Sequence, residues 1–538
     1  MIQNPILKGF NPDPCICRKG EDYYIAVSSF EWFPGIPVYH SKDLKNWELL
    51  THVLTSEKVL DVKRLTTGQG IWAPNLTYCE EEDLFYVVYG SMIPSGVNID
   101  NYLITAKDIK GPWSEPVYLH SAGFDASVFH DPAGKKYILS LESETRTDYK
   151  KPGEICMAEY DPVKKSVIGY PKRIWNGSSG RGWIEGPQLY KKNDMYYILC
   201  AEGGTGYHHC AAVGRSKNVW GPYEKDPKKT VITSYESDGS EGQARKEDNY
   251  RFYNENVVIQ KSGHASLVET QTGELFAVHL CGRPTMPEMC CTLGRESAVQ
   301  KMAWSADGWI RMADGSSLAK DVCEESGLKE YPMKKIPEKD DFDDSVLGIQ
   351  YYSPRYPAEG FIDLTARPGY LRIRGQQNLD SLDRVSLVGR KLTSMHAVAE
   401  TRLEFYPEVY QHSAGLLLYY DNYNYIYLRK YYSETLRGSA LSITQAELGK
   451  VVQKTETRVP VEDRPVTLRL TIEGKEAYFE WAYDSEFRRI GGSFDTTRLS
   501  DEYCGLFTGT FTGIACTDGM FRRKYADFDY FLYEDKEG

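Results

Sequence analysis

Residues 11–29 read NPDPCICRKGEDYYIAVSS: a short apolar run, a charged turn around Gly20 and a second run rich in Tyr. Alternating apolar residues on both sides of a turn cluster predict a β-hairpin. The same design recurs four times, as WAPNLTYCEEEDLFYVVYG (72–90), FDASVFHDPAGKKYILSL (124–141), IEGPQLYKKNDMYYILCAE (184–202) and GHASLVETQTGELFAVHL (263–280). Each hairpin is followed by turns and two further strand-like runs. Units of four short strands repeated in this way are typical of a β-propeller.

The repeats divide the chain into two domains. Residues 1–320 are predicted to form a five-bladed propeller, with an insertion at 234–262 that reads as a polar surface loop. Residues 321–340 are rich in Pro and charge and are expected to be a linker. Long alternating runs in 341–538, such as HAVAETRLEF (396–405), predict an antiparallel β-sandwich. The expected fold class is therefore all-β.

Composition limits the partners and the compartment. The chain has 64 Lys and Arg against 76 Asp and Glu, a net charge of -12, which disfavours nucleic acid and anionic membranes as partners. No apolar run has the roughly 18–20 residues needed to cross a bilayer, and the start MIQNP lacks a secretory pattern. The 12 Cys are scattered without a CxxC pair, as expected for buried thiols in a reducing compartment. These features predict a cytoplasmic protein.

Equivalent positions of a propeller repeat converge on one axis. Aligning the five hairpins brings together Asp13, Ala73 with Trp72, Asp125, Glu185 and His264. Taken singly, Asp13 and Asp125 are also consistent with residues that form turns, and His264 is consistent with a histidine of the core. Three carboxyl groups at one channel mouth are instead typical of glycosidic hydrolysis. There one carboxyl protonates the leaving oxygen, and another activates water or attacks the sugar. A neighbouring carboxylate or burial keeps the proton donor protonated.

At these residues the sequence resembles a known family. The ordered runs are GFNPDPCICRKGEDYY (9–24), GIWAPNL (70–76), GFDASVFHD (123–131), IEGPQLYK (184–191), AEGGT (201–205), GHASLV (263–268) and HLCGRP (279–284). They resemble glycoside hydrolase family 43, in particular its long β-xylosidase and α-L-arabinofuranosidase members. The resemblance covers the whole chain and implies a five-bladed propeller followed by a β-sandwich that packs near the active-site mouth.

The resemblance also implies roles for individual residues. Asp13 corresponds to the general base, Glu185 to the general acid and Asp125 to the carboxylate that tunes and orients the acid. Phe30 and Trp72 match aromatics that wall the sugar subsite, and Arg283 matches an arginine that contacts sugar hydroxyls. A sandwich phenylalanine closes the pocket in relatives, here Phe511 or Phe507 in GLFTGTFTG (505–513), with Phe511 the residue we select. His264 matches a histidine that approaches a calcium ion or a water in some relatives, so a structural calcium in the channel is one expectation and no other cofactor is required.

Two positions depart from the family pattern. Related β-xylosidases often carry a Trp after the third-blade strand, where this chain has ILSLESETRTD (138–148) and Ser143 is the nearest equivalent. Asn75 stands where several xylosidases have His. Both changes are expected on the side that receives the leaving sugar, which favours arabinose removal over cleavage of linear xylobiose.

These observations predict an inverting, exo-acting glycosidase that removes a terminal pentose, α-L-arabinofuranose or β-D-xylose, from xylan-derived or arabinose-decorated oligosaccharides. Two alternatives remain open at this point. A retaining, invertase-like hydrolase also joins a propeller to a sandwich, although its first blade carries Asn-Asp-Pro-Asn-Gly instead of Asn11-Pro12-Asp13-Pro14. A non-catalytic sugar-binding propeller would need no acid–base pair. Aromatic-rich edges in the sandwich are compatible with a homo-oligomer.

Overall fold

The computed structural model describes residues 1–92, 99–149, 153–237, 240, 242, 250–505 and 507–537. The described chain is almost entirely β, and its only α-helix in these ranges is the single turn Asp501–Cys504, beside the 3₁₀ turns Ala358–Gly360 and Thr496–Arg498. Among these residues no helix has the length and apolar character needed to span a membrane.

The first part of the chain forms five antiparallel sheets, or blades, each made from consecutive strands. Blade I has strands Cys15–Lys19, Asp22–Ala26, Gly35–Ser41 and Glu48–Leu54; blade II has Gly70–Cys79, Leu84–Met92, Asp100–Ala106 and Val117–His120; blade III has Ser127–His130, Lys136–Leu141, Ile155–Asp161 and Ser166–Trp175. Blade IV has Glu185–Lys192, Met195–Glu202, Cys210–Ser216 and Glu224–Lys225, with Ile232–Thr233 also on its third strand; blade V has Gln260–Glu269, Leu275–Gly282, Glu296–Trp304 and Ile310–Met312.

The blades close into a ring. The first strands of successive blades contact one another, and the first strand of blade V contacts that of blade I. A separate apolar cluster fills each of the five spaces between neighbouring blades. This arrangement confirms the predicted five-bladed propeller and explains why inner strands such as Lys136–Leu141 and Leu275–Gly282 are buried along their whole length.

The chain start and the segment predicted as a linker take part in this closure. Strand Ile2–Gln3 pairs with Val322–Cys323, and Leu7 forms a bridge with Ser297 of blade V. At the other end of the segment, Lys339–Asp340 pairs with the last strand of the chain. The stretch without strand pairing is therefore 324–338.

The second part of the chain is a sandwich of two antiparallel sheets. One sheet contains, in spatial order, Ile362–Asp363, Leu371–Arg374, Tyr525–Asp535, His396–Glu404, Val466–Glu473, Glu476–Ala482 and Arg488–Asp495. The other contains Ser386–Lys391, Phe511–Asp518, His412–Asp421, Asn424–Ser433, Gly438–Glu447 and Lys450–Pro460. The strand His396–Glu404 alternates buried and more exposed residues, as its sequence pattern predicts.

In the sandwich sheet that contains His412–Asp421, this strand is buried on both faces, because one face packs against the other sheet of the sandwich and the other face packs against the propeller. Along His412–Asp421, Leu416, Leu418 and Tyr420 enter the sandwich core, whereas Leu417 and Tyr419 enter a cluster shared with the propeller. The short strand Trp32–Phe33, which lies between the second and third strands of blade I in sequence, pairs with Ser353–Pro354 of the sandwich domain. The two domains therefore share both a sheet edge and an apolar core.

The insertion at 234–262 differs from the expected surface loop in its described part. Phe252 is 1% exposed and stacks on His208 with ring centroids 3.9 Å apart, and Ile259 is completely buried. Strand Gln260–Glu269 begins within it. The polar composition of the insertion as a whole gave no indication that Phe252 and Ile259 are buried.

Candidate active site

The first strands of the five blades begin with one residue each in the left-handed backbone region. These residues are Asp13, Ala73, Asp125, Gly186 and His264, with φ between 36° and 56°. The sequence alignment placed Glu185 in this set, and that register is wrong by one residue. Gly186 holds the equivalent position because a Cβ there would lie 2.9 Å from the Nε2 atom of His264. Glu185 therefore stands one residue before the repeat position, in the register of Trp72.

Asp13 is held by a chain of hydrogen bonds from the neighbouring blade. The backbone N–H of Ala73 donates to Ser28 Oγ at 2.7 Å, and the Ser28 hydroxyl donates to Asp13 Oδ2 at 2.6 Å. The other carboxyl oxygen, Oδ1, lies 3.6 Å from His264 Nδ1. Asp13 is 8% exposed, so these contacts fix the orientation of a nearly buried carboxyl group.

Asp125 and Glu185 form an electrostatically coupled pair. The backbone N–H of Gly186 donates to Asp125 Oδ2 at 3.1 Å, which places the Asp125 carboxyl beside the residue that follows Glu185. Burial raises the pKa of Asp125 to about 6; His264 opposes this rise and Asp13 adds to it. Burial also raises the pKa of Glu185 well above its usual range, and the charges of Asp125 and Asp13 raise it further. Glu185 is therefore the carboxyl suited to hold a proton near neutral pH.

A cavity of about 830 Å³ lies between the propeller and the sandwich. It is lined from the propeller by Thr66, Thr67, Gly68, Gln69, Trp72, Met92, Trp183, Gly203, Gly204, Thr205, Gly206, Tyr207, Tyr250, Lys261 and Arg295, and from the sandwich by Asp501, Glu502, Gly505 and Phe507. Trp72 directly precedes Ala73, and Trp183 lies two residues before Glu185, so two residues of the cavity wall adjoin the strand positions that carry the site.

The channel between the first strands of the blades is narrow beside the carboxyl groups. The space lined by Asp13, Asp125, Gly186 and His264 has a volume of only about 10 Å³, enough for about one water molecule. Two residues further along the first strands, polar side chains bridge neighbouring blades: Ser266 Oγ donates to Gln188 Oε1 at 3.0 Å, and Asn75 Oδ1 accepts from the Val128 N–H at 3.0 Å. These side chains fill the channel beside Asp13 and Asp125.

Comparison with known proteins agrees with this geometry. A model described as "Glycosyl hydrolases family 43" matches residues 2–310, and one described as "Beta xylosidase C-terminal Concanavalin A-like domain" matches residues 339–534. The chain belongs to glycosyl hydrolase family 43. The resemblance noted in the sequence is thereby confirmed, and the protein is a glycoside hydrolase.

Relatives of this family 43 hydrolase match it from end to end. It is 40% identical to the β-xylosidase of Bacillus subtilis over 99% of this chain and 100% of that one. It is 34% identical to a non-reducing end α-L-arabinofuranosidase of Bacteroides ovatus over 98% of this chain and 94% of that one. The crystal structure of a xylan β-1,4-xylosidase from Bacillus halodurans superposes with a TM-score of 0.93 at 41% identity, covering 99% of this chain and 100% of that one.

The aromatic wall of the hydrolase differs in one residue from the sequence prediction. Trp72 lines the cavity, and the ring of Phe30, only 4% exposed, packs behind it at 6.0 Å and against Phe507 at 5.4 Å. Phe511 is completely buried and stacks on Trp32 with centroids 3.7 Å apart. The choice of Phe511 as the closing residue is therefore wrong, because that side chain holds the two domains together, and Phe507 borders the cavity instead.

The arginine predicted to contact sugar also lies elsewhere. Arg283 is bound through Nε and Nη2 to both carboxyl oxygens of Glu296, at 2.7 and 2.9 Å, and it does not line the cavity. Arg295 lines the cavity in its place: its Nη2 donates to Thr205 O at 3.1 Å and its guanidinium group lies 4.9 Å from the Phe507 ring. The arginine that lines the cavity is therefore Arg295 and not Arg283; Arg295 follows Gly294, which packs against the sandwich.

The sandwich supplies two carboxylates that the sequence analysis missed. In the helical turn Asp501–Cys504, Asp501 binds Arg295 Nη1, and Glu502 binds the ammonium group of Lys261, a side chain 2% exposed. Tyr420 also donates to Asp501 Oδ1 at 2.8 Å. No repeat signals such residues, because they gain their role only when the second domain docks on the first.

The two departures from the family pattern do not border the cavity. Asn75 is 5% exposed and is used within the channel network, and Ser143 bonds through its N–H to Ala122 O at 2.8 Å. Neither residue is among those that line the cavity of about 830 Å³. Trp183 occupies the cavity wall instead. Of the ten tryptophans, all within the described ranges, it alone is more than a third exposed, at 40%.

The side chains around His264 do not fit a calcium site. Calcium prefers six to eight oxygen ligands, whereas the channel offers one imidazole, the two carboxyl groups of Asp13 and Asp125, and polar side chains that already bond to each other. Within the described residues no group of three or more His, Cys, Asp and Glu side chains is placed to hold a metal ion. His264 instead contacts Asp13 and packs over Gly186.

Substitution Gly186→Ala tests this packing. We expect the free energy of unfolding to fall by about 2–4 kcal/mol, because the left-handed backbone and the contact with His264 both oppose a Cβ. The glycosidase rate should fall with it, since Asp13 and Glu185 both depend on this neighbourhood. Denaturant titration and initial rates measure the two effects.

Gly169→Ala is the matched control. Gly169 also has a positive φ, 71°, but a Cβ there meets nothing within 4 Å. Its substitution should cost about 1 kcal/mol and leave the rate unchanged. Equal losses in the two variants would show that the contact with His264 does not matter.

Proposed function

We propose that this protein is an inverting, exo-acting hydrolase that removes one terminal pentose, β-D-xylose or α-L-arabinofuranose, from xylan-derived oligosaccharides. The observation that carries the proposal is the convergence of three carboxyl groups from blades I, III and IV, with the pKa of Glu185 raised by its desolvation and then by the charges of Asp125 and Asp13. Relatives named for β-xylosidase and for α-L-arabinofuranosidase activity support both pentoses as substrates.

In the proposed reaction Asp13 and Glu185 act in one displacement. Asp13 takes a proton from a water molecule as the water oxygen bonds to the anomeric carbon. The bond from that carbon to the leaving oxygen breaks as Glu185 gives its proton to the leaving oxygen. The products are a pentose of inverted configuration and a shortened alcohol, and solvent returns the proton from Asp13 to Glu185. Asp125 keeps the Glu185 proton in place before the reaction.

The exo action is supported by the shape of the pocket. The channel space beside Asp13, Asp125, Gly186 and His264 has a volume of only about 10 Å³, which leaves no room for a polysaccharide to continue through the propeller. The wider cavity of about 830 Å³ has room for the leaving part of the oligosaccharide. Trp72, Phe507 and Arg295 are proposed to surround the terminal sugar with apolar faces and hydrogen-bond donors.

The free thiols support a cytoplasmic site of action. All 12 cysteines are free and 11 of them are buried, as is usual where glutathione keeps thiols reduced. The proposed substrate is then a short oligosaccharide already inside the cell, consistent with a pocket that accepts one chain end.

Replacing either member of the acid–base pair should remove most of the activity. We expect Asp13→Asn and Glu185→Gln each to lower kcat/KM on xylobiose by about 10²–10⁴-fold. With 4-nitrophenyl pentosides, Glu185→Gln should lose less than Asp13→Asn, because nitrophenolate leaves without protonation. Parallel rates on β-D-xylopyranoside and α-L-arabinofuranoside substrates also decide which pentose is preferred.

The exposed turn variant Asp194→Asn is the control and should match the unsubstituted enzyme. Proton NMR of the first product reports its anomeric form. Net retention would overturn the single displacement in favour of an invertase-like mechanism, and full activity of both site variants would favour a binding protein.

The pH profile tests the role of Asp125. Glu185 must be protonated to act, so activity falls as pH rises through the pKa of Glu185. Because the Asp125 charge raises that pKa, Asp125→Asn should move the alkaline limb of kcat/KM to lower pH while its side chain can still accept the Gly186 N–H. An alkaline limb that stays in place would show that Asp125 does not tune the acid.

Trp183 is proposed to carry the leaving sugar, because it lies two residues before Glu185 with its ring exposed in the cavity. Trp183→Ala should lower kcat/KM for xylobiose or an arabinosylated xylo-oligosaccharide by up to about tenfold, the scale of one aromatic contact. Inhibition by free pentose, which fills only the inner end, should be unchanged. If free pentose inhibited Trp183→Ala more weakly than the unsubstituted enzyme, Trp183 would contact the terminal sugar and not the leaving sugar.

A further inference from the structure

A second pocket, of about 370 Å³, lies in the sandwich domain next to blade I. Its volume is at the lower end of the roughly 300–1,000 Å³ found for small-ligand sites. Tyr356, Phe361, Arg374, Gln376, Arg384 and Arg522 line it. None of its lining residues borders the catalytic cavity.

The three arginines of this pocket form no close ion pair among the described residues, although the charge of Arg384 acts on the neighbouring Asp383. Among the described residues no carboxylate lies within 4.0 Å of a guanidinium nitrogen of Arg374, Arg384 or Arg522, and Arg374 donates only to Gly360 O, at 2.8 Å. Three positive groups left unpaired around one concavity are notable in a chain of net charge -12. Such a cluster attracts an anion.

The carboxylates on the same segments already have partners. Asp383 accepts from the Tyr356 hydroxyl and contacts Arg64 Nε at 3.4 Å. Asp518 accepts from the backbone N–H groups of the turn that carries Arg522. Glu57, which also borders the pocket, contacts Lys63 at 3.3 Å. The arginines therefore remain available for a ligand.

Gln376 places a neutral polar side chain on the wall of the same pocket. Its backbone carbonyl accepts from the Asp518 N–H at 2.9 Å, which fixes the position of the residue. The Gln376 amide is not one of the buried polar groups that lack a partner among the described residues, so it is open to the pocket space. It can therefore donate to, or accept from, a polar group bound beside the arginines.

We propose that this pocket binds the carboxylate of an acidic sugar unit, a uronate, on or released from the oligosaccharides that the enzyme processes. Planar guanidinium groups pair with both oxygens of a carboxylate, and the rings of Tyr356 and Phe361 offer an apolar floor to a sugar. Glu57 at the rim favours a single negative charge over a phosphate dianion. The link to oligosaccharides rests on the proposed function, but the binding itself does not.

Calorimetric titration of the full-length protein tests the proposal, with D-glucuronate as the probe and saturating D-xylose present to occupy the catalytic cavity. We expect glucuronate to bind at low salt, D-glucose not to bind, and D-glucose 6-phosphate to bind more weakly than glucuronate. Two variants, Arg384→Gln with Arg522→Gln and the single Gln376→Leu, should each weaken glucuronate binding at least tenfold. Added salt should also weaken it, since the contact is ionic.

Arg437→Gln is the matched control, because Arg437 is exposed and left-handed, with φ 53°, but lies outside the pocket. It should bind glucuronate as the unsubstituted protein does. Hydrolysis of 4-nitrophenyl pentosides should be unchanged in every variant, which shows that each is folded; a failure of that hydrolysis in the unsubstituted protein would count against the proposed function only.

Equal binding of glucose and glucuronate, or undiminished binding in the pocket variants, would overturn the site. Tighter binding of glucose 6-phosphate would overturn the carboxylate assignment in favour of a phosphate.

Discussion

The left-handed residue at the start of each blade's first strand is the constraint on which the site depends. Asp13, Ala73, Asp125, Gly186 and His264 all adopt it, although each non-glycine residue costs on the order of 1 kcal/mol there. The apolar clusters between the blades offset this cost. The common conformation turns the backbone at the same depth in every blade, so that residues far apart in sequence meet at one end of the channel.

Bringing carboxyl groups together in a nearly closed pocket has an electrostatic consequence. Two carboxylates beside a third make its ionisation unfavourable, so the proton stays on Glu185, the group whose pKa is raised furthest from its ordinary range. Hydrogen bonds from Ser28 and from the Gly186 N–H hold the other two. Burial, which would destabilise isolated charges, thus gives two carboxyl groups the different protonation states that an acid and a base need.

The sandwich domain contributes side chains to the cavity beside the catalytic carboxyl groups. Its Asp501 and Glu502 pair with Arg295 and Lys261 of the propeller, and its Phe507 joins the aromatic wall. A buried cation without its partner would be strongly unfavourable, so these two propeller side chains depend on the docked domain. The stacked pair Trp32 and Phe511 fixes the strand that follows Phe507. The cavity therefore exists only when both domains are in place.

The sequence by itself determined the strands, the five repeats, the sandwich and the three carboxyl positions, because alternation, turn chemistry and repeat spacing are local properties. The alignment of the repeats placed Glu185, and not Gly186, at the repeat position, because a repeat pattern does not show that only glycine fits beneath His264. Tertiary structure alone decided between Arg283 and Arg295 and between Phe511 and Phe507. Each member of these pairs has similar neighbours in sequence, and only the packing of one domain on the other buries one side chain and leaves the other facing the cavity.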